Sequence, residues 1–385
     1  MEKIALPFLQ TKGFVFWTIR PPFVTKGLLD EIASISGLPI VVVYLQDDSR
    51  EDRAGINVFP PSSSEECING SQMVKSKSQL KAFIRNHSDW IHIFTGVGFL
   101  KGQINSYLKS INPQSVSIVW TERPIYLGKF KRLKERIKYL LNVRLRLLYS
   151  KNVDLLFAYG EPAVKEFLSY GWPKNKVFPL MYCPNFSPTV PTADFKLAKN
   201  VKNILYVGRF DFYVKGVDVL MKSIAAINKT CQEKVRFYFA GGYGNDRAQI
   251  MKFIQSTPNC TFIGKTSLLE TESIMPLFDA VIVPSVRDGW NVNPYLATMS
   301  GIPTLCSTGA GSQDLIEKYH CGLVFNGGDS TSLTATLKTF LNFGTTQFNE
   351  LVNNAIAAKT QIGPRSEALY VLQTIDKFAM EQASK

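Results

Sequence analysis

Histidine is scarce in this chain: His87, His92 and His320 are the only three in 385 residues. That number excludes a histidine-rich metal centre. No Asp-x-Asp pair occurs, which argues against an enzyme that holds a metal–diphosphate with that pair. The six cysteines, at 67, 183, 231, 260, 306 and 321, include no CxxC pair, and most sit in apolar strand-like runs. Reduced, buried thiols in a cytoplasmic protein are expected rather than disulfides or zinc ligands. No apolar run approaches the roughly 18 residues that a membrane-spanning helix needs. The start, MEKIALPFLQTKGF, lacks the basic region, apolar core and small-residue cleavage site of a signal peptide. No internal repeat or low-complexity tract is visible.

What is present is globular. Hydrophobic residues make up 45% and charged residues 19% of the chain, values of a folded protein. The length exceeds one ordinary core and implies two domains of roughly 150–200 residues. The net charge of +13 implies an acidic partner: a nucleotide, a nucleic acid or an anionic membrane surface. Short β-branched and aromatic runs alternate with helical patterns. They lie at 14–19, 39–45, 90–95, 115–120, 154–158 and 177–180, then at 203–207, 236–240, 260–263, 280–284, 303–307 and 323–325. Being apolar on both faces, they read as buried parallel strands, and their alternation with helices predicts an α/β protein of two doubly wound domains. The proline-rich segment CPNFSPTVPTADFKLAK (183–199) marks the junction. The expected division is 1–185, a linker at 186–200, a second domain at 201–362, and a last helix at 363–385 with Ser366 as its cap.

Ligands of open parallel sheets bind beyond the carboxyl ends of the strands, so the loops there carry the chemistry. In YVGRFDFYVKGVDVL, Gly208 and Arg209 follow a strand and Lys215 precedes the next helix. An Arg fork and a Lys point charge at such a junction suit one diphosphate and would stabilise it as a leaving group. In PSVRDGWNVNPYLATMSGIP (284–303), Asp288 and Gly289 form a turn, followed by Asn291 and Asn293 and a helical run. Such a loop aims backbone N–H groups and the positive end of a helix at a phosphate or sugar diphosphate, with one carboxylate beside it for sugar hydroxyls. In VWTERP, Glu122 sits just after a strand, where it would orient an acceptor hydroxyl or move its proton; a salt bridge to Arg123 is the plain alternative. His92, inside WIHIF, reads as a core residue.

The ordered motifs VGRFDFYVKGVDVL, FYFAGGYG, CTFIGKTS, FDAVIVPSVRDGW, ATMSGIPTLCSTGAGSQDLI and CGLVFNGGDSTSL resemble those of retaining GT-B glycosyltransferases of family-four type. The match covers about 203–335 and plausibly the final helix; the N-terminal half matches only in pattern. The resemblance implies two Rossmann-like domains facing a central cleft, a nucleotide-diphosphate sugar as donor and no metal or other cofactor. Arg209 and Lys215 would bind the donor diphosphate. Phe262, Gly264 and Lys265 would line the nucleobase pocket, and Gly208 with the backbone of Gly289, Trp290, Asn291 and Val292 would complete the donor site. Asp288 stands for the first Glu of the family's Glu–seven residues–Glu motif, which touches sugar hydroxyls. The string SVRDGWNV is also similar to the RDGMN loop of trehalose-phosphate synthases, which makes Asp288 and Asn291 an acceptable variant of that loop. One departure stands out: the second Glu, a ribose ligand in the family, falls at Leu296. A charge-assisted bond lost there costs about 1.5–3 kcal/mol, unless Asn291 or Asn293 replaces it.

The segment 129–151, KFKRLKERIKYLLNVRLRLLYSK, holds nine cations against Glu135 and so carries +8 of the net charge. Phe130, Leu133, Ile137, Leu140, Leu141, Leu145 and Leu148 recur at helical spacing. A basic amphipathic helix suits an anionic membrane surface, with Lys129, Lys131, Arg132, Lys134, Arg136 and Lys138 on lipid headgroups; a domain helix packed on the sheet is the other reading. No recognisable nucleic-acid-binding module surrounds it. The expectation is therefore a cytoplasmic enzyme, peripheral on the inner face of the plasma membrane. It would move a sugar to a lipid-linked glycan acceptor in surface polysaccharide assembly (O-antigen, capsule or lipopolysaccharide). A catalytically degenerate nucleotide-sugar or membrane adaptor, a GT-B sugar-nucleotide epimerase and a basic nucleic-acid-binding protein are the alternatives.

Overall fold

The computed structural model describes residues 6–7, 9–19, 25–45, 65–70, 73, 76–96, 99–124, 137, 152–185, 197–198 and 200–384. Two compact units separate among them. The first extends to Arg123, resumes through 152–185 and takes back the chain from Ile362; the second runs to Gln361. The basic segment 129–151, Ile137 apart, and most of the 186–200 linker lie outside the described residues, as does the loop 20–24.

The first unit is built on one parallel sheet. Its strands are β1 (Phe14–Thr18), β2 (Ile40–Tyr44), β3 (Glu65–Asn69), β4 (Ile91–Thr95), β5 (Ser117–Thr121), β6 (Leu155–Tyr159) and β7 (Val177–Leu180), in the order β3-β2-β1-β4-β5-β6-β7. Helices α1 (Lys26–Ser36), α2 (Lys77–Asn86), α3 (Phe99–Ile111) and α4 (Glu161–Ser169) connect them. β1, β5 and β6 are buried at every position, which is why their sequences are apolar without alternation. β3 was not foreseen. Its sequence, EECIN, holds two carboxylates, and it pairs only with β2, at the sheet edge, where a strand needs no apolar run. His92 lies in the interior of β4. Its Nδ1 accepts from Trp17 Nε1 at 3.0 Å and its Nε2 lies 2.9 Å from the His87 carbonyl, a pairing that puts the proton on Nε2. Burial pushes its pKa down to about 4.

The second unit has β8 (Lys202–Gly208), β9 (Val235–Gly241), β10 (Cys260–Phe262), β11 (Ala280–Val283), β12 (Thr304–Ser307) and β13 (Gly322–Phe325), ordered β10-β9-β8-β11-β12-β13 and parallel throughout. Its helices are α5 (Val217–Ile227), α6 (Arg247–Ser256), α7 (Leu268–Ile274), α8 (Asn293–Met299), α9 (Gln313–Tyr319), α10 (Ser330–Leu341) and α11 (Thr345–Lys359). Phe237, Phe239, Ile282, Leu305 and Leu337 make the core between sheet and helices. The order reverses between β8 and β11, so the crevice of a doubly wound sheet opens there.

Helix α12 (Pro364–Ala383) closes the chain on the first unit, packed along α1. Buried Glu367 accepts from the Met181 N–H at 2.8 Å, and Arg365 pairs with Glu31 at 3.1 Å. Gly363, not Ser366, precedes the helix. Pro364 takes its first position, where the fixed φ of proline fits and its missing N–H costs nothing. Among the described residues no helix is long and apolar enough to cross a membrane. Cys183, Cys306 and Cys321 are buried and Cys231 and Cys260 half-buried, all as free thiols.

Candidate active site

At the β8–β11 switch point two loops are tied together. In the first, Asp211 Oδ1 accepts from Val214 N at 2.7 Å, Tyr206 Oη donates to the Arg209 carbonyl at 2.6 Å, and Phe210 N donates to the Tyr243 carbonyl at 2.8 Å. In the second, Val286 N donates to the Val214 carbonyl at 2.9 Å, joining the loops. Gly216 makes this approach possible. It has φ of +64° at the start of α5, and a Cβ there would lie 2.1 Å from the Pro284 carbonyl oxygen. The segment after β12 buttresses the second loop from behind. Asp288 N donates to the Gly309 carbonyl at 2.8 Å, and Ser312 Oγ donates to the carbonyls of Trp290 and Asn291 at 2.7 and 2.8 Å. A Cβ on Gly309 would stand 2.0 Å from the Ser285 carbonyl oxygen, so glycine is required for this packing.

Asp288 is the hub. Its Oδ2 accepts from Lys215 Nζ at 2.5 Å, Asn291 Nδ2 at 3.1 Å and Ser285 Oγ at 3.2 Å, and its Oδ1 from Gly289 N at 3.0 Å. Burial by itself would push this carboxyl up. The Lys215 ammonium, the hydrogen bonds from Lys215 and Ser285 and the charge of Arg209 outweigh it and hold the carboxyl below its ordinary value. Arg209 is exposed, and among the described residues its guanidinium has no ion-pair partner. Asn291 sits in the left-handed region, at φ of +74°, and Val292 follows in the right-handed one. Successive residues of that kind turn their N–H groups to one side and form an anion-binding concavity. No described acceptor meets the N–H of Asn291 or Val292.

The structure thus brings Gly208, Arg209, Lys215, Asp288, Gly289, Asn291 and Val292 together. The side chain of Trp290 is fully buried and packs the interior, and its carbonyl is engaged by Ser312, which holds the loop from behind. Helix α8 offers its N-terminus less than expected. Asn293 N donates to Asn291 Oδ1 at 3.1 Å, and Pro294 has no N–H. Leu296 is fully buried in α8. Neither asparagine amide is poised to replace the missing carboxylate. Asn291 bonds Asp288 and Asn293 within its own loop, and Asn293 Nδ2 donates to the Val207 carbonyl at 2.8 Å. At the end of β10, Phe262 packs edge-on against Phe210 at 5.9 Å and lies across Gly242. Gly264 accepts from Gly241 N at 2.8 Å through its carbonyl, and Lys265 is exposed. Ser285, Ser307 and Ser312 support the site without having been singled out. Small hydroxyl side chains leave no periodic signal, and only the loop after β12, rich in glycine and serine, hinted at close packing.

Residues 201–342, the bulk of this unit, match a family model described as glycosyl transferases group 1. The match covers most of the second unit and less than half of the chain, and it supports reading the chain as a glycosyltransferase. Comparison with curated proteins finds no match. Among solved structures, HepE of Anabaena in complex with UDP and glucose is 15% identical, with a TM-score of 0.68 over 95% of this chain and 100% of that one. A glycosyltransferase from Rickettsia africae is 12% identical at a TM-score of 0.68, over 96% and 99% of the two chains. WaaG, a glycosyltransferase involved in lipopolysaccharide biosynthesis, is 15% identical at 0.56, over 94% and 99%. The fold is GT-B, with two Rossmann-like α/β units.

In the first unit, Glu122 follows β5 and its Oε1 accepts from Tyr182 Oη at 3.0 Å. The Tyr182 ring stacks on Tyr159 at 3.8 Å. Burial, with the charge of Glu122 second, pushes the Tyr159 hydroxyl well up, so it stays neutral. Tyr182 and Tyr159 were missed because aromatic residues at strand ends read as core. Lys129, Lys131, Arg132, Lys134, Arg136 and Lys138, expected from the sequence to meet lipid headgroups, lie outside the described residues.

Proposed function

We propose that the chain transfers a sugar from a nucleotide-diphosphate sugar, of UDP type, to a hydroxyl of a lipid-linked glycan acceptor. The observation that carries the donor reading is the switch-point constellation. Among the described residues Arg209 has no ion-pair partner, Lys215 is held on Asp288, and the N–H groups of Asn291 and Val292 meet no acceptor. The Anabaena relative, crystallised with UDP and glucose, supports the choice of UDP. In the reaction the acceptor oxygen forms a bond to the anomeric carbon as the bond from that carbon to the diphosphate breaks. The electron pair leaves on the diphosphate, which also takes the acceptor's proton. Arg209 and Lys215 stabilise that leaving charge without a metal, and the anomeric configuration is retained, as in the family it resembles. Glu122 on the first unit orients the acceptor hydroxyl. The proposed setting is surface polysaccharide assembly on the inner face of the plasma membrane; the basic composition of the 129–151 segment and the likeness to WaaG support it. Replacing four cations among 129–138 by Gln releases the protein from anionic vesicles, at roughly 1 kcal/mol per cation; unchanged vesicle binding removes the membrane part.

The donor reading is tested by melting the protein with UDP, GDP, dTDP, CDP and ADP, with and without magnesium. A diphosphate at a hundred times its dissociation constant adds roughly 2.7 kcal/mol. A shift with UDP and no magnesium requirement supports the reading. A specific observation favours a second one: Leu296 is buried and the neighbouring amides are engaged, so the ribose lacks its carboxylate. A protein that binds donor weakly and turns none over, with acceptor present, is the degenerate nucleotide-sugar binder.

A further inference from the structure

The edge strands of the two sheets are not alike. A free edge presents unpaired N–H and C=O groups, and folded proteins blunt it with charge, proline or shortness. β3 carries Glu65 and Glu66, β7 carries Pro179, and β10 stops after three residues. β13, the edge beyond β12, runs from Gly322 through Leu323 and Val324 to Phe325 in unbroken register, with no charge and no proline. Thr304 N donates to the Cys321 carbonyl at 3.2 Å and Thr308 N to the Phe325 carbonyl at 2.8 Å. Alternate residues of a strand turn their backbone groups to opposite edges, so Gly322 and Val324 face away from β12. No described residue bonds those outward groups.

Beside that edge, α9, α11 and β13 line a groove of about 660 Å³, within the range of roughly 300–1,000 Å³ of ligand sites. Asn354 Nδ2 donates to the His320 carbonyl at 3.0 Å and ties α11 to the end of α9. Leu323, Phe343 and Leu351 supply apolar lining. Glu317 and Glu350 line the groove as well. Both are exposed, and among the described residues neither has an ion-pair partner. No described Lys or Arg lines it, so the groove is acidic in a chain whose net charge is +13. We infer that β13 accepts an extended basic segment of a partner protein as an added strand. The backbone of that segment bonds Gly322 and Val324, its apolar side chains meet Leu323 and Phe343, and its cations meet Glu317 and Glu350. The two carboxylates repel an acidic segment. A second copy of this chain would bring two like-charged grooves together.

The test titrates a short labelled peptide of alternating lysine and valine into the full chain by fluorescence anisotropy, beside its glutamate–valine counterpart. The basic peptide is expected to bind and the acidic one is not. Val324→Pro removes an outward N–H and leaves the β12 ladder whole, at a place where an edge strand tolerates proline. It is expected to weaken the basic peptide at least about tenfold with the melting curve unchanged. Should it fail to fold, Val324→Lys sets a like charge on the edge and is expected to weaken the peptide in the same way. Glu317→Gln with Glu350→Gln is expected to weaken it about three- to tenfold, a difference that fades near 1 M salt, where the screening length is about 3 Å. Failure of wild type to bind the basic peptide, equal binding of the acidic one, or binding that the Val324 variants do not move overturns the inference. So does a concentration-dependent dimer that those variants abolish, which would make a second copy the occupant.

Discussion

Lys101 and Lys215 occupy comparable places in the two units. Each lies a few residues past the carboxyl end of a strand that flanks a switch point, β4 in the first sheet and β8 in the second. Their surroundings differ. Lys215 meets the Asp288 carboxylate. Lys101 is buried against Thr95, donating to its carbonyl and, at 2.9 Å, to its Oγ1, with no described carboxylate in contact. Burial pushes its pKa down to about 8. A cation placed among oxygens with its counter-charge is ready for a second anion. A cation buried without one is a cost to folding carried by the local backbone. On the proposed function the electrostatics of the second unit would serve a ligand, while the charge of Lys101 in the first is a matter of architecture.

The sharpest way to break this comparison is to remove each ammonium in turn. Lys215→Met strands the Asp288 carboxylate and is expected to destabilise the second unit by about 3–5 kcal/mol. Lys101→Met removes a charge that burial disfavours and is expected to leave the melting temperature unchanged or raise it. Equal losses in denaturant titrations would show that both lysines do the same job. Next in size, Arg209→Ala is expected to lower transfer by about a hundred- to a thousandfold with folding intact. Initial rates beside a melting curve decide this, and full activity sinks the assignment of the diphosphate site.

His92 gives the first unit a pH dependence that the second lacks by this route, having no buried histidine. Its folded pKa, about 4, lies below the unfolded value of 6.5. The unfolded chain therefore binds the proton first as pH falls. The stability is present in full above pH 6.5 and is lost on acidification from there to about 4. The loss is about 3 kcal/mol. Urea unfolding of His92→Gln across that window should show a flatter profile than wild type; parallel profiles would remove His92 as the cause. The smallest effect concerns Glu122. Tyr182→Phe deletes one hydrogen bond to a charged group and is expected to slow transfer by about tenfold while leaving UDP binding unchanged. A change in UDP binding instead would tie Tyr182 to the donor.

Legibility differed between the units in the same way. The strands of both sheets stood out as apolar runs, except β3, whose edge position permits EECIN. The loops after β8 and β11 stood out because Arg209, Lys215, Asp288 and Gly289 lie in short strings with glycine at fixed places. The tyrosines beside Glu122 did not, since Tyr159 ends β6 and Tyr182 follows β7, and only the order β5-β6-β7 brings them near it.

By itself the chain determined its doubly wound α/β class, the two-unit organisation and the residue types suited to a diphosphate. Those follow from local rules: burial on both faces, alternation with helices, and charge at strand–helix turns. The tertiary structure alone decided that Lys215 rests on Asp288 and that the Asn293 amide is engaged by the Val207 carbonyl of β8. It also decided that Trp290 and Leu296 face the core and that Gly309 must be glycine. These are statements about which atoms come within three ångströms of which. In a parallel sheet such neighbours arrive from strands tens of residues apart, so no local pattern records them.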